Sequence, residues 1–142
     1  MTEYTTMVEI DAPPERVWQI LTDAASYREW NPEILDVEGR MALGERIVAR
    51  VRLEDGAIRR VPLRVSRFEA SSRMDWVGGI PLGLFVGRRT FTVTPRAGGT
   101  AFRLHLSMSG PLSGMIVKSV GNRQSEVDSF SAALKRRAEA GV

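Results

Sequence analysis

Few side chains in this sequence are equipped for covalent or acid–base chemistry. There is no cysteine, so a thiolate nucleophile, a disulfide and a sulfur-ligated metal are all excluded. His105 is the only imidazole, which rules out a histidine-cluster metal site and leaves little scope for a serine–histidine–aspartate apparatus. No metal and no cofactor is expected. His105 alternates with Leu104 and Leu106, so on a strand it faces away from their side, exposed or hydrogen-bonded. A register shift of one residue would instead turn it inward as the one candidate imidazole base. Asp11, Glu15 and Asp23 belong to helix caps and helix surface, and no two carboxylates are paired as acid–base catalysis needs. The glycine-rich stretch from Gly78 to Gly87 lacks the Gly-Lys-Ser/Thr ending of a phosphate loop, which argues against nucleotide binding.

What remains is chemistry of binding. Ser119, Arg123 and Glu126 lie three to four residues apart beside an apolar helical stripe. As an (i, i+3) pair, Arg123 and Glu126 read slightly better as a surface ion pair. Turned inward, they would orient an otherwise apolar ligand. Met74 and Trp76 share one strand face and point to the interior, as core, cavity wall or both. Trp30-Asn31-Pro32 reads first as a core cap and helix stop, with a cavity rim as the alternative. Ile80, Leu82, Leu84 and Phe85 are unusually apolar for a loop, which fits a lid over a greasy opening or a dimer contact.

These groups need elements to hold them. Glu3 to Asp11 alternates Tyr4, Thr6, Val8 and Ile10 against Glu3, Thr5, Met7 and Glu9, the pattern of a half-buried strand. Pro13-Pro14, flanked by Asp11 and Glu15, opens a short helix carrying Val17, Ile20, Leu21 and Ala24. One more helical turn is expected at Ser26–Trp30. From Ile34 to His105 the chain reads as β structure. Ile47, Ala49, Val51 and Leu53 lead to a two-residue hairpin signal at Asp55-Gly56, because both residues tolerate positive φ, and the partner strand spans Ile58–Phe68. A strand at Ser72–Val77 follows, then a turn-rich connection from Gly78 to Gly83. A last hairpin pairs Val86–Thr94 with Thr100–Met108 across Arg96–Gly99, with Phe102, Leu104, Leu106 and Met108 on one face. After Gly110-Pro111, Ile116, Val120, Val127, Phe130, Leu134 and Ala138 draw one stripe along a helix of roughly 25 residues. That helix alone is long enough to cover the apolar face of a curved antiparallel sheet, giving an α+β fold.

At this point the chain resembles the START-like, or SRPBCC, superfamily. The resemblance is carried by Ile10–Trp18 opening the first helix, Tyr27–Pro32 after it, Trp76–Phe85, and the closing Phe130–Glu139; the last two segments look like its small bacterial polyketide cyclase/dehydrase or CoxG-like branch. It implies a helix-grip fold: a curved antiparallel sheet of about six or seven strands wrapped around a long C-terminal helix, with one or two short helices after the first strand. It also implies one domain over residues 1–142 and an internal cavity for lipids, polyketides or similar molecules. Around such a cavity the candidate ligand contacts are Trp30, Asn31, Met74, Trp76, Leu84, Phe85, Phe91, Phe102, Leu104, Met115, Ser119 and Arg123.

Three functions fit these observations. The first is binding or transport of a small hydrophobic ligand. The second is a polyketide cyclase/dehydratase-like enzyme in the same cavity, with His105, Arg123, Glu126 and Asn31 as candidate polar groups. The third is a dimeric interaction module built on residues 80–85. The charge of +3 over 142 residues is nearly all arginine, spread along strands with the aromatics at apolar-face positions, so no nucleic-acid partner is expected. The N-terminus lacks the apolar core of a signal peptide and no run approaches a membrane span, so a cytoplasmic location without stable membrane insertion is the default expectation. A homodimer is left open.

Overall fold

Strand β1 (Thr2–Ile10) lies at one edge of a seven-stranded antiparallel sheet, and its neighbour in space is the last strand rather than the next. The computed structural model describes residues 1–53 and 55–140; Gly141 and Val142, included in the expected domain, lie outside the described residues. After β1 come α1 (Pro14–Thr22), a single 3₁₀ turn (Ala24–Ser26) and α2 (Tyr27–Trp30). The chain then meanders through β2 (Ile34–Glu38), β3 (Arg46–Arg52), β4 (Ile58–Glu69), β5 (Arg73–Ile80), β6 (Phe85–Arg96) and β7 (Gly99–Ser109). Strand order is β1-β7-β6-β5-β4-β3-β2, every pair antiparallel. This is the helix-grip sheet with seven strands.

The local signals act where expected. Pro13 precedes α1 in extended conformation and Pro14 is its first residue, where a missing N–H costs nothing. The turn at Asp55-Gly56 falls where expected but is wider than a two-residue loop, since the Leu53 N–H donates to the Ala57 carbonyl at 2.8 Å; Gly56 takes φ +86°, and Asp55 Oδ1 accepts from the Ala57 N–H at 2.9 Å. Arg96 pairs with Gly99 across a two-residue turn, with Gly98 at φ +82°. β5 runs on through Gly78 and Gly79 to Ile80, so part of the expected loop is strand, and only Pro81–Gly83 forms a 3₁₀ turn.

The C-terminal helix departs from expectation. It is two helices, α3 (Ser113–Val120) and α4 (Gln124–Glu139), not one of roughly 25 residues. Gly121 sits at φ +79°, ψ −174°, a conformation essentially confined to glycine. The Asn122 side chain then accepts from the Gln124 N–H at 2.8 Å and starts α4 afresh. The apolar stripe stays in phase across the break, which is why periodicity alone conceals it.

α4 lies in the concave face of the sheet against β1 and β7. Phe130 is its central plug, meeting Phe91 (5.6 Å between ring centroids), Trp30 (5.6 Å), Tyr27 (6.3 Å) and Phe102 (6.4 Å). This half of the gripped volume is solid. Among the described residues no helix is long and apolar enough to cross a membrane.

Candidate functional site

The other half of the gripped volume, under α3 and the start of α4, is hollow. Register shows why. On the concave face Trp76 pairs with Arg89 and Arg89 with Leu106; the next row is Gly78, Gly87 and Met108; then come Ile80 and Phe85 at the mouth. Two facing glycines contribute no side chain to the middle row, and a cavity of about 310 Å³ opens there. Its far wall is Ile34 of β2, Ala49 and Val51 of β3, and Val61 and Leu63 of β4; its roof is Ile116 and Val120 of α3. At about 300 Å³ and above, a mostly apolar cleft is large enough for a small organic molecule. The two glycines are not equivalent. A Cβ on Gly78 would lie 2.6 Å from the Pro62 carbonyl oxygen, whereas one on Gly87 would make ordinary contact with the Phe85 ring at 3.5 Å.

One polar cluster reaches this apolar space. Arg89 on β6, and Arg123 and Glu126 at the start of α4, all line the cavity and are all buried, Glu126 to 2% exposure and Arg123 to 4%. Arg89 grips the carboxylate with both terminal nitrogens: Nη1 donates to Oε2 at 3.1 Å and Nη2 donates to Oε1. Arg123 Nη2 donates to Oε1 at 3.1 Å. Burial alone would push the Glu126 carboxyl up. The charge and hydrogen bonds of Arg89, and then those of Arg123, overcome it and hold the group below the ordinary carboxylate range. Glu33, close by, is shifted the other way: burial raises it and the Glu126 charge adds to that, against Arg123 and Arg52. Tyr27 donates its hydroxyl to the Leu21 carbonyl; burial raises its pKa, with the Arg89 charge opposing, so it stays protonated.

The arrangement is therefore a greasy cavity with fixed N–H donors at one end. Glu126 is committed as an ion and neither gives nor takes a proton near neutrality. The narrow sequence preference for Arg123 and Glu126 on the surface is corrected: the break at Gly121 turns the first turn of α4 inward, and Arg89 supplies the partner that makes burial of the carboxylate tolerable. Arg89 itself was missed. Its signal was its phase, since it occupies the same face of β6 as Phe91 and Val93.

Of the twelve candidate contacts, the structure brings Trp76, Phe85 and Arg123 to the cavity. Met74, Phe91, Phe102 and Leu104 are fully buried in the solid half around Phe130. Trp30 packs edge-on to Tyr27 at 5.1 Å. Asn31 turns the chain, its Oδ1 accepting from the Glu33 and Ile34 N–H groups at 3.0 Å each. Met115 and Ser119 lie on the outward side of α3 and are exposed, so they do not wall the cavity. Leu84 is exposed beside them, its carbonyl bonded to the Leu112 N–H at 2.8 Å, and Leu82, at φ +66°, projects almost wholly into solvent. His105 faces the convex side, bonded to the Thr5 hydroxyl at 2.7 Å and to Glu3 at 3.1 Å.

Several solved structures share this fold at low identity. The protein TTHA0849 from Thermus thermophilus is 22% identical, with TM-score 0.75 and 98% of each chain covered. A START superfamily protein from Mycobacterium smegmatis is 19% identical, with TM-score 0.73 and 97% of each chain covered. The di-domain ARO/CYC protein BexL of the BE-7585A biosynthetic pathway is 16% identical with TM-score 0.73, 99% of this chain covering 51% of that one. No curated protein matches the sequence. The cavity, the seven-stranded grip and the START-like neighbours fit one hydrophobic-ligand-binding architecture, and a family model matching residues 1–139 places the chain in it: the chain belongs to the polyketide cyclase / dehydrase and lipid transport family.

Proposed function

We propose that the protein binds one small hydrophobic molecule in the cavity beneath α3 and carries or presents it unchanged. The observation that carries this reading is the void itself: about 310 Å³, walled mainly by apolar side chains from six strands and α3, opened by two glycines facing each other in mid-sheet. Burying apolar surface there drives binding at about 25 cal/mol per Å² before the costs of association.

A second reading has its own support. The family description includes cyclases and dehydrases, and buried guanidinium donors at the end of a cavity are suited to holding a developing enolate oxygen. Carrying is favoured because Glu126 is held ionised by two arginines and His105 lies on the opposite face of the sheet. Donors that bind and orient are present at the cavity, whose described lining holds no histidine and a single carboxylate, Glu126.

The test is native mass spectrometry of freshly purified protein with organic extraction of the bound fraction. The expected result is a stoichiometric apolar adduct that is lost on denaturation. Gly87→Val should abolish it without unfolding the chain, because the added methyls enter the void from a position with ordinary contact space. If neither native adducts nor added decan-1-ol, decanoate, 2-naphthol or 2-naphthoate are retained, the reading falls. An extracted molecule that loses water on incubation with the protein establishes the cyclase/dehydratase instead. The same spectrum reports whether two copies of the chain associate.

A further inference from the structure

Resting on that reading of the cavity, we infer that the ligand is an acidic amphiphile: an apolar body with a single anionic oxygen head, a carboxylate or an enolate, seated against Arg123 and Arg89. The buried cluster is not neutral. Two guanidiniums share one carboxylate, so one positive charge is left over at the inner end of an apolar cavity. Arg123 uses one of its five N–H donors on Glu126, and among the described residues its others have no protein acceptor. Arg89 uses two.

Among the described residues no second carboxylate pairs with either arginine: Glu33 lies close enough to feel Glu126 and Arg123 but makes no ion pair within 4 Å with Arg89 or Arg123. Beyond the cluster, the charged side chains that line the cavity among the described residues are Arg59 and Arg60, both basic. Trp76 also lines the cavity, and its indole N–H is a donor, buried without an acceptor, on the residue paired with Arg89 across the sheet. Among the described side chains that line the cavity, every buried group without a partner is a donor, so the complement is an acceptor that brings charge. A monoanion neutralises the cluster, and a planar carboxylate matches the guanidinium fork.

The experiment compares matched pairs by calorimetry at neutral pH: decanoate with decan-1-ol for a chain body, and 2-naphthoate with 2-naphthol for a ring body. The wild-type protein should prefer the acid of at least one pair by about tenfold or more, the scale of one charge-assisted hydrogen bond in a desolvated site. Arg123→Gln should bring that ratio to about one, chiefly through loss of the acid's affinity. Glu126→Gln adds to the surplus charge and should widen the ratio. Equal binding of acid and neutral partner by the wild-type protein overturns the head-group assignment and leaves the cavity reading standing; no binding of any of the four overturns the assignment, and together with the absence of a native adduct it overturns the cavity reading as well. Should Arg123→Gln fail to fold, the wild-type ratio and the opposite shift in Glu126→Gln still decide. A ratio that Glu126→Gln narrows also refutes the assignment.

Discussion

Glu126→Gln is the substitution that most directly weighs the buried cluster. The amide keeps the shape and one acceptor, but removes the charge that two buried guanidiniums share. Three hydrogen bonds converge on this carboxylate, two of them at 3.1 Å. Removing one partner of a buried ion pair costs about 3–5 kcal/mol, chiefly because the other charge stays buried without compensation. The retained amide oxygen and the cavity's access to water argue for the lower end, about 3 kcal/mol. For a chain of this length that corresponds to a drop in Tm of about 10 °C. Differential scanning calorimetry, with urea denaturation at constant slope as a check, measures it. The pH dependence gives a second readout whose sign is fixed. Glu126's folded pKa lies below its reference value of 4.5, so its contribution is complete above that value and is lost as pH falls through the folded pKa. Glu33, shifted upward, acts in the opposite sense: its contribution is complete below its unfolded pKa and fades as pH rises through the folded one. The gap between wild type and Glu126→Gln should therefore be widest near neutrality and close in acid. A Tm change under about 2 °C at neutral pH would falsify the claim that the carboxylate's charge holds this end of the cavity together.

Two further outcomes follow from other parts of the structure. Gly121→Ala should cost about 1–3 kcal/mol, read as a lower urea midpoint, because φ +79° with ψ −174° is open to little but glycine; an unchanged midpoint would mean that α3 and α4 can fuse. His105→Gln should leave decanoate affinity within about twofold of wild type, since His105 is bonded on the convex face; a tenfold loss, about 1.4 kcal/mol, would show that the imidazole reaches the ligand after all.

The scaffold was legible where one local rule was enough. Alternation over Tyr4–Ile10 and Phe102–Met108, and the turn at Ala97-Gly98, depend on residues close in sequence, and the observed register follows them. The hollow was not, because it is a property of several strands at once. Nothing near Gly78 says that Gly87 will face it, and only that pairing separates a void from a loose turn. The apolar candidates went astray for a related reason: Phe91, Phe102 and Leu104 have the right face but fall on the side that Phe130 fills, a matter of position along the grip. Met115 and Ser119 were placed by continuing one helix through Gly121, and the break there re-aims everything before it. Arg123 and Glu126 show the same (i, i+3) spacing whether exposed or buried, and their deciding partner, Arg89, is 37 residues from Glu126.

The two departures from ordinary folding rules are adjacent, and that adjacency is the argument for function. Glycine in a strand interior weakens it and contributes nothing to a core, yet two glycines face each other in the middle of the sheet. Buried charges are likewise no general source of stability, since well-packed apolar residues of similar volume commonly match or exceed them; yet Arg89 stands on the apolar face of β6, one row from Gly87. A chain under selection for stability alone would replace Gly87, where a Cβ has ordinary contact space, with valine and Arg89 with leucine or methionine. Elsewhere in the sheet the chief exception is Asp75, buried on the opposite face of β5, away from the cavity, and held there by two half-exposed arginines, Arg73 and Arg88. When local rules fail together at one place and hold around it, the requirement met there is a site rather than a scaffold. The glycines make room for an apolar body, and the uncompensated guanidinium sets what its head must be.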